Sequence, residues 1–63
     1  MAMTASTVVQ RYLMGDYPTS RDELVDRARR HGADQAIMSL VRNLQKEQFT
    51  SAADVERALG EEH

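Results

Sequence analysis

The chain is 63 residues long, carries eight basic and ten acidic residues for a net charge of -2, and contains no cysteine. That size allows one domain, and the missing cysteine excludes a disulfide staple, a thiolate zinc site and a thiol nucleophile. The charge balance is not the strong positive excess that nonspecific nucleic-acid binding usually shows, and no apolar run approaches the roughly 20 residues of a membrane span.

The first expected element is a helix over about residues 4–14, with Val8, Val9, Tyr12 and Leu13 on one face. Gly15 can stop it, and Asp16-Tyr17-Pro18-Thr19 reads as a turn because Pro18 disfavours a helical Tyr17. Ser20 and Glu23 form a capping box for a second helix, 21–31, with Leu24, Val25 and Ala28 inward. Asp22 and Glu23 in its first turn and Arg29, Arg30 and His31 in its last match the helix dipole, and Gly32 ends it. Asp34 caps a third helix, 35–44, carrying Ile37, Leu40, Val41 and Leu44, and Gln45 to Phe49 reads as a connection. Ser51 with Asp54 repeats the capping logic for a fourth helix, 52–59, with Val55, Ala58 and Leu59, then Gly60 and a frayed tail of Glu61, Glu62 and His63. No segment alternates like a strand.

These elements predict an all-α, compact four-helix domain, 1–63, built as two helical hairpins. A shift of about 31 residues lays one half on the other. Ala5 then meets Ala36, Arg11 meets Arg42, Leu13 meets Leu44, and Thr19-Ser20 meets Thr50-Ser51, which suggests a pseudo-repeat. With Phe49, Tyr12 and Tyr17 the only aromatics, the core is thin, because so short a chain buries only about 60% of its unfolded surface. Small domains without staples often complete such a core against a second copy or a partner.

Signals for chemistry are few. Thr19, Ser20, Thr50 and Ser51 sit where caps are needed, and the interior histidine, His31, sits at a helix end. Asp26 is placed to pair with Arg29 or Arg30. His31 and His63 lack ligand spacing, and the isolated glycines form no phosphate-cradling loop. No catalytic residue, metal site or cofactor is therefore expected, and the chain reads as a non-enzyme. Helices two and three, joined by His31-Gly32-Ala33-Asp34, resemble a helix-turn-helix in outline. A nucleic-acid or partner surface would draw on Arg27, Arg29, Arg30 and Arg42. Against DNA or RNA, Arg27 stands where the motif wants an apolar residue and Asp34 opens the would-be recognition helix. That helix's outer face, with Gln35, Ser39, Arg42, Asn43 and Lys46, is barely basic. The leading expectation is a non-catalytic helical module acting through protein contacts or self-association, with exposed methionines such as Met14 or Met38 as docking points. A small DNA- or RNA-binding regulator is the alternative. No membrane partner is expected, and the segment Met1 to Gln10 lacks the Lys/Arg-headed apolar stretch of a signal peptide, so the expected location is cytoplasmic.

One longer pattern stands out. Tyr17-Pro18-Thr19-Ser20-Arg21-Asp22-Glu23-Leu24 is followed by Ala28, Gly32-Ala33, Leu40, Leu44, Phe49, Ser51, Asp54-Val55 and Ala58-Leu59. Over about Val9 to Leu59 the chain resembles the short bacterial family known as domain of unknown function 2795. The family's usual basic residue after the capping serine is matched by Arg21. The resemblance implies a stand-alone or appended small helical domain, with no activity, cofactor or catalytic residue to carry over.

Overall fold

The structure, a computed structural model, describes residues 4–60, so the expected frayed tail lies outside the described residues. Thr4 opens the first helix by accepting the Thr7 amide on its hydroxyl at 3.1 Å, and α1 runs Ala5–Tyr12. It is shorter than expected at its C-terminal end. Leu13 becomes the C-cap and turns fully into the core, so the chain leaves the helix before Gly15 can act as its stop.

The capping box forms as expected. The Glu23 amide donates to Ser20 Oγ at 3.2 Å and the Ser20 amide donates to Glu23 Oε1 at 3.2 Å, opening α2, Arg21–Arg30. Its far end is a full Schellman turn. Gly32 sits at φ 77°, its amide donates to the Arg29 carbonyl at 3.1 Å, and the Ala33 amide reaches the Ala28 carbonyl at 2.9 Å. Asp34 then accepts the Ile37 amide at 3.0 Å and starts α3, Gln35–Arg42. This helix also ends early, because the Leu44 amide bonds back to the Val41 carbonyl in a tight final turn and Leu44 drops into the core. Ser51 accepts the Asp54 amide at 3.2 Å to open α4, Ala52–Gly60, which takes in Gly60 rather than stopping before it.

Two short strands were not expected. Thr19–Ser20 (β1) pairs antiparallel with Gln48–Phe49 (β2), Thr19 facing Phe49 and Ser20 facing Gln48. The Arg21 amide extends the ladder to the Glu47 carbonyl at 2.9 Å. Thr19 and Phe49 are both buried, so their backbones cannot turn to water and satisfy each other instead. Strands of two residues contain no alternation to read.

The packing also departs from the two expected hairpins. The principal helix contacts are α2 with α3 and α1 with α4, while α1 touches α2 lightly and α3 and α4 have no substantial contact. Phe49, Leu13, Leu24, Leu44, Val41 and Val55 form the fully buried centre, flanked by Val8, Val9, Ala28, Ile37, Met38 and Leu59. On α3 the inward stripe is Ile37, Met38 and Val41. Leu40 is 40% exposed, so Met38 and Leu40 exchange the places expected of them. Among the described residues no helix is long and apolar enough to cross a membrane.

Candidate functional site

The loop between α1 and β1 runs back across the C-terminal half of α2, and an open cleft of about 300 Å³ lies between them. Gly15 and Arg27 line it with Asp16, Glu23, Arg30 and His31, and Met14 borders it. Met14 is 61% exposed, more than Leu40, the other large apolar side chain that reaches solvent among the described residues. Acids and bases are close to balanced around the cleft, and its size falls at the lower bound of ordinary small-ligand sites, roughly 300 Å³.

Arg27 is half-buried and faces the loop. Its Nη2 donates to the Asp16 carbonyl at 2.6 Å, and its guanidinium carbon lies 5.5 Å from the centre of the Tyr17 ring. Nη1 is buried without an acceptor. One turn on, His31 places Nδ1 2.8 Å from the Tyr12 carbonyl. A carbonyl only accepts, so Nδ1 carries the proton in this arrangement. The Tyr17 hydroxyl in turn donates to the Leu13 carbonyl at 3.4 Å. Arg27 and, four residues on at the C-cap of α2, His31 thus hold the chain from Tyr12 to Tyr17 onto the helix. Gly15 sits at φ 157°, where a side-chain-bearing residue is strained, and a Cβ there would also lie 2.6 Å from Cζ of Arg27. Burial pushes the Tyr17 phenol above its ordinary value, with Glu56 adding to the rise and Arg27 opposing it.

A second polar cluster joins the loop after α3 to α4. Lys46 Nζ donates to both carboxylate oxygens of Asp54, at 2.7 and 2.8 Å, and lies 5.4 Å from the centre of the Phe49 ring. The Thr50 amide donates to the same carboxylate at 3.1 Å. Aspartate is one methylene shorter than glutamate, so Asp54 bonds the residue before its cap rather than the cap itself. The Lys46 ammonium and then the Thr50 amide hold the Asp54 carboxyl below its ordinary value. Lys46 therefore stands in a loop beyond α3, not on the helix face expected of it. A third long side chain, Arg21, donates from Nη1 to the Leu44 carbonyl at 2.9 Å and ties the start of α2 to the end of α3.

The four arginines singled out from the sequence do not share one environment. Arg27 is turned into the fold, Arg30 pairs with Asp26 on the surface of α2, and Arg29 and Arg42 are exposed without an ion pair among the described residues. The spacing allows Asp26 to pair with Arg29 or Arg30, and the structure takes Arg30. With both side chains at least half exposed, such a pair contributes only about 0.3–0.5 kcal/mol. Asp34 keeps its carboxylate at the first turn of α3, where a phosphate would have to approach. The loop-holding role of Arg27 went unread, although its misfit to the helix-turn-helix pattern was the available signal.

No curated protein and no solved structure matches the chain. The model of the family described as protein of unknown function (DUF2795) matches residues 7–56, most of the length, and the chain belongs to that family.

Proposed function

We propose that this chain is a non-catalytic helical module that acts through protein contacts, self-association first among them. One observation carries the reading. The side chains best suited to chemistry or phosphate binding are taken up by internal bonds: Arg21 to Leu44, Arg27 to Asp16, His31 to Tyr12 and Lys46 to Asp54. What they leave at the cleft is a balanced polar rim beside exposed Met14, a pliable apolar contact rather than a reactive group. Light scattering from micromolar to millimolar concentration tests the self-association. A rise in mass with concentration supports self-association, Met14→Ser tells a contact at this edge from one made elsewhere, and a strict monomer throughout refutes self-association. The nucleic-acid alternative is disfavoured by the same residues, since Arg27 is engaged and Asp34 guards the start of α3.

We further infer that the halves are counterparts. Each reads helix, short strand, helix, and the paired elements, α1 with α4 and α3 with α2, exchange identities when the halves are interchanged. At the offset of about 31 residues, buried Leu13 and Leu24 meet buried Leu44 and Val55. Val9, however, meets exposed Leu40, and the buried pair Val8–Val9 matches Ile37–Met38 only if the first helix slips by two residues.

A further inference from the structure

We propose that two copies of this chain associate by exchanging halves across the 31–34 hinge, so that α1–β1–α2 of one copy packs against α3–β2–α4 of the other. The proposal rests on the self-association reading and names its mechanism. Three observations lead to it. First, the fold's main contacts cross the hinge: α2 on α3, α1 on α4, β1 on β2, and the bonds from Arg21 to Leu44 and Glu47. Within the second half, by contrast, α3 and α4 make no substantial contact. Neither half can satisfy itself, but any copy of the opposite half satisfies it fully.

Second, the closed monomer has little to offer a conventional dimer. Among the described residues the large apolar side chains in solvent are Met14 and Leu40. A stable interface buries roughly 1,200–2,000 Å² around an apolar centre, which two such side chains cannot supply. Third, little in the hinge ties one half to the other: His31 bonds Tyr12 within its own half, and Ala33 alone packs its side chain against the core. The Schellman bonds at Gly32 and Ala33 and the Asp34 cap reverse the chain, and a Cβ on Gly32 would meet nothing within 4 Å. Exchange therefore keeps the core contacts and gives up chiefly these local ones, the condition under which swapping is inexpensive.

The test uses the full chain with Ser20→Cys and Gln48→Cys, which are directly opposed in the β1–β2 pair. Opposed antiparallel residues lie about 4.5–5.5 Å apart at Cα, within disulfide range. In a monomer or a surface-docked dimer this disulfide closes within one chain, and in an exchanged dimer it closes between chains. The protein is refolded from urea under reducing conditions at graded concentrations, oxidised, and examined by light scattering and non-reducing denaturing electrophoresis. We expect a covalent dimer band that grows with concentration. Gly32→Ala should raise it several-fold, because alanine disfavours the left-handed turn and favours a helix running on from α2. A dimer whose disulfides are all within chains overturns the exchange and leaves self-association standing, whereas a monomer up to millimolar concentration overturns both. Because Ser20 also caps α2, the unsubstituted chain provides a second reading. In a mixture of isotope-labelled and unlabelled copies, nuclear Overhauser contacts between Thr19 of one copy and Phe49 of another support exchange, and a dimer lacking them refutes it.

Discussion

Gly15→Ala probes the loop clamp without deleting a single polar group. The new methyl would lie 2.6 Å from Cζ and 2.7 Å from Nε of Arg27, so the guanidinium must leave its place. Displacement forfeits the Arg27–Asp16 hydrogen bond, a charged donor on a carbonyl worth about 1.5–3 kcal/mol. It also forfeits the stacking on Tyr17, worth about 0.5–1 kcal/mol at a partly exposed site. Alanine also strains the backbone at φ 157°, a region open in practice only to glycine, by about 1–3 kcal/mol whatever Arg27 does. The expected loss is about 4 kcal/mol, which in a domain of this size lowers Tm by about 20 °C. Urea denaturation monitored by circular dichroism at pH 7 measures it. The decisive comparison is a double-mutant cycle with Arg27→Met, which keeps the side chain's apolar stem and removes both the bond and the buried unpartnered Nη1. If the glycine matters through Arg27 as well as through its own backbone, the cost of Gly15→Ala falls by about 2 kcal/mol in the Arg27→Met background, leaving the backbone strain alone. An unchanged cost in both backgrounds would refute the clamp.

Gly32→Ala should destabilise the monomer at low concentration by about 1–2 kcal/mol, from the left-handed backbone alone, since a methyl there meets no neighbour. A chemical-denaturation midpoint equal to the parent's would contradict it. Ser20→Ala should cost about 1 kcal/mol by removing the cap of α2, and Ser20→Gly should cost only a few tenths, a ranking that thermal melts can test. Asp54 has a folded pKa below its unfolded one, so its contribution is fully present above the unfolded value near 4 and is lost as pH falls through the lower folded value. Asp54→Asn should therefore flatten the acid limb of a stability-against-pH curve below about pH 4, and an unaltered limb would place the acid sensitivity elsewhere. Thr19→Val should stabilise the fold by about 1 kcal/mol, because Thr19 is 2% exposed and its hydroxyl has no partner. A lower Tm for Thr19→Val would show that the hydroxyl is satisfied after all.

The features read correctly from the sequence are those whose causes lie within four residues. The Ser20–Glu23 box, the Asp34 cap, the left-handed Gly32 and the Asp26–Arg30 pair each follow from side chains and backbone groups on one stretch of chain. The features missed are non-local. Nothing near Arg21 announces the Leu44 carbonyl, and nothing near Thr19 announces Phe49 as its strand partner. Helix ends failed for a related reason: Leu13 and Leu44 were counted as helical because they are apolar at helical spacing, yet each enters the core just after its helix has ended. The same spacing allowed either Met38 or Leu40 to face inward, and only packing against α2 decides between them.

The family pattern can now be given physical causes, and they narrow where function can lie. Tyr17 forms the surface on which Arg27 rests, Ser20 and Glu23 cap α2, Arg21 closes the end of α3, Leu24 and Phe49 fill the centre, and Gly32 turns the chain. Every one of these positions is explained by folding. A residue explained by the fold gives no information about a partner, because its identity would be required whether or not a partner existed. Among the side chains that folding leaves undetermined, Met14 at the cleft's edge and Leu40 on the outer side of α3 are the large apolar ones, and Arg29 on α2 and Arg42 on α3 are among the exposed cations. The two apolar ones are divided between the halves, as expected where association draws on the core itself and the surface needs only to stay soluble. If instead a preformed surface recognises a partner, residues of this kind must carry most of the binding. Substituting them singly should then weaken association by about tenfold or more per hot-spot residue while leaving Tm unchanged. Under exchange of halves the same substitutions should leave association intact, and Gly32→Ala should be the one that moves it.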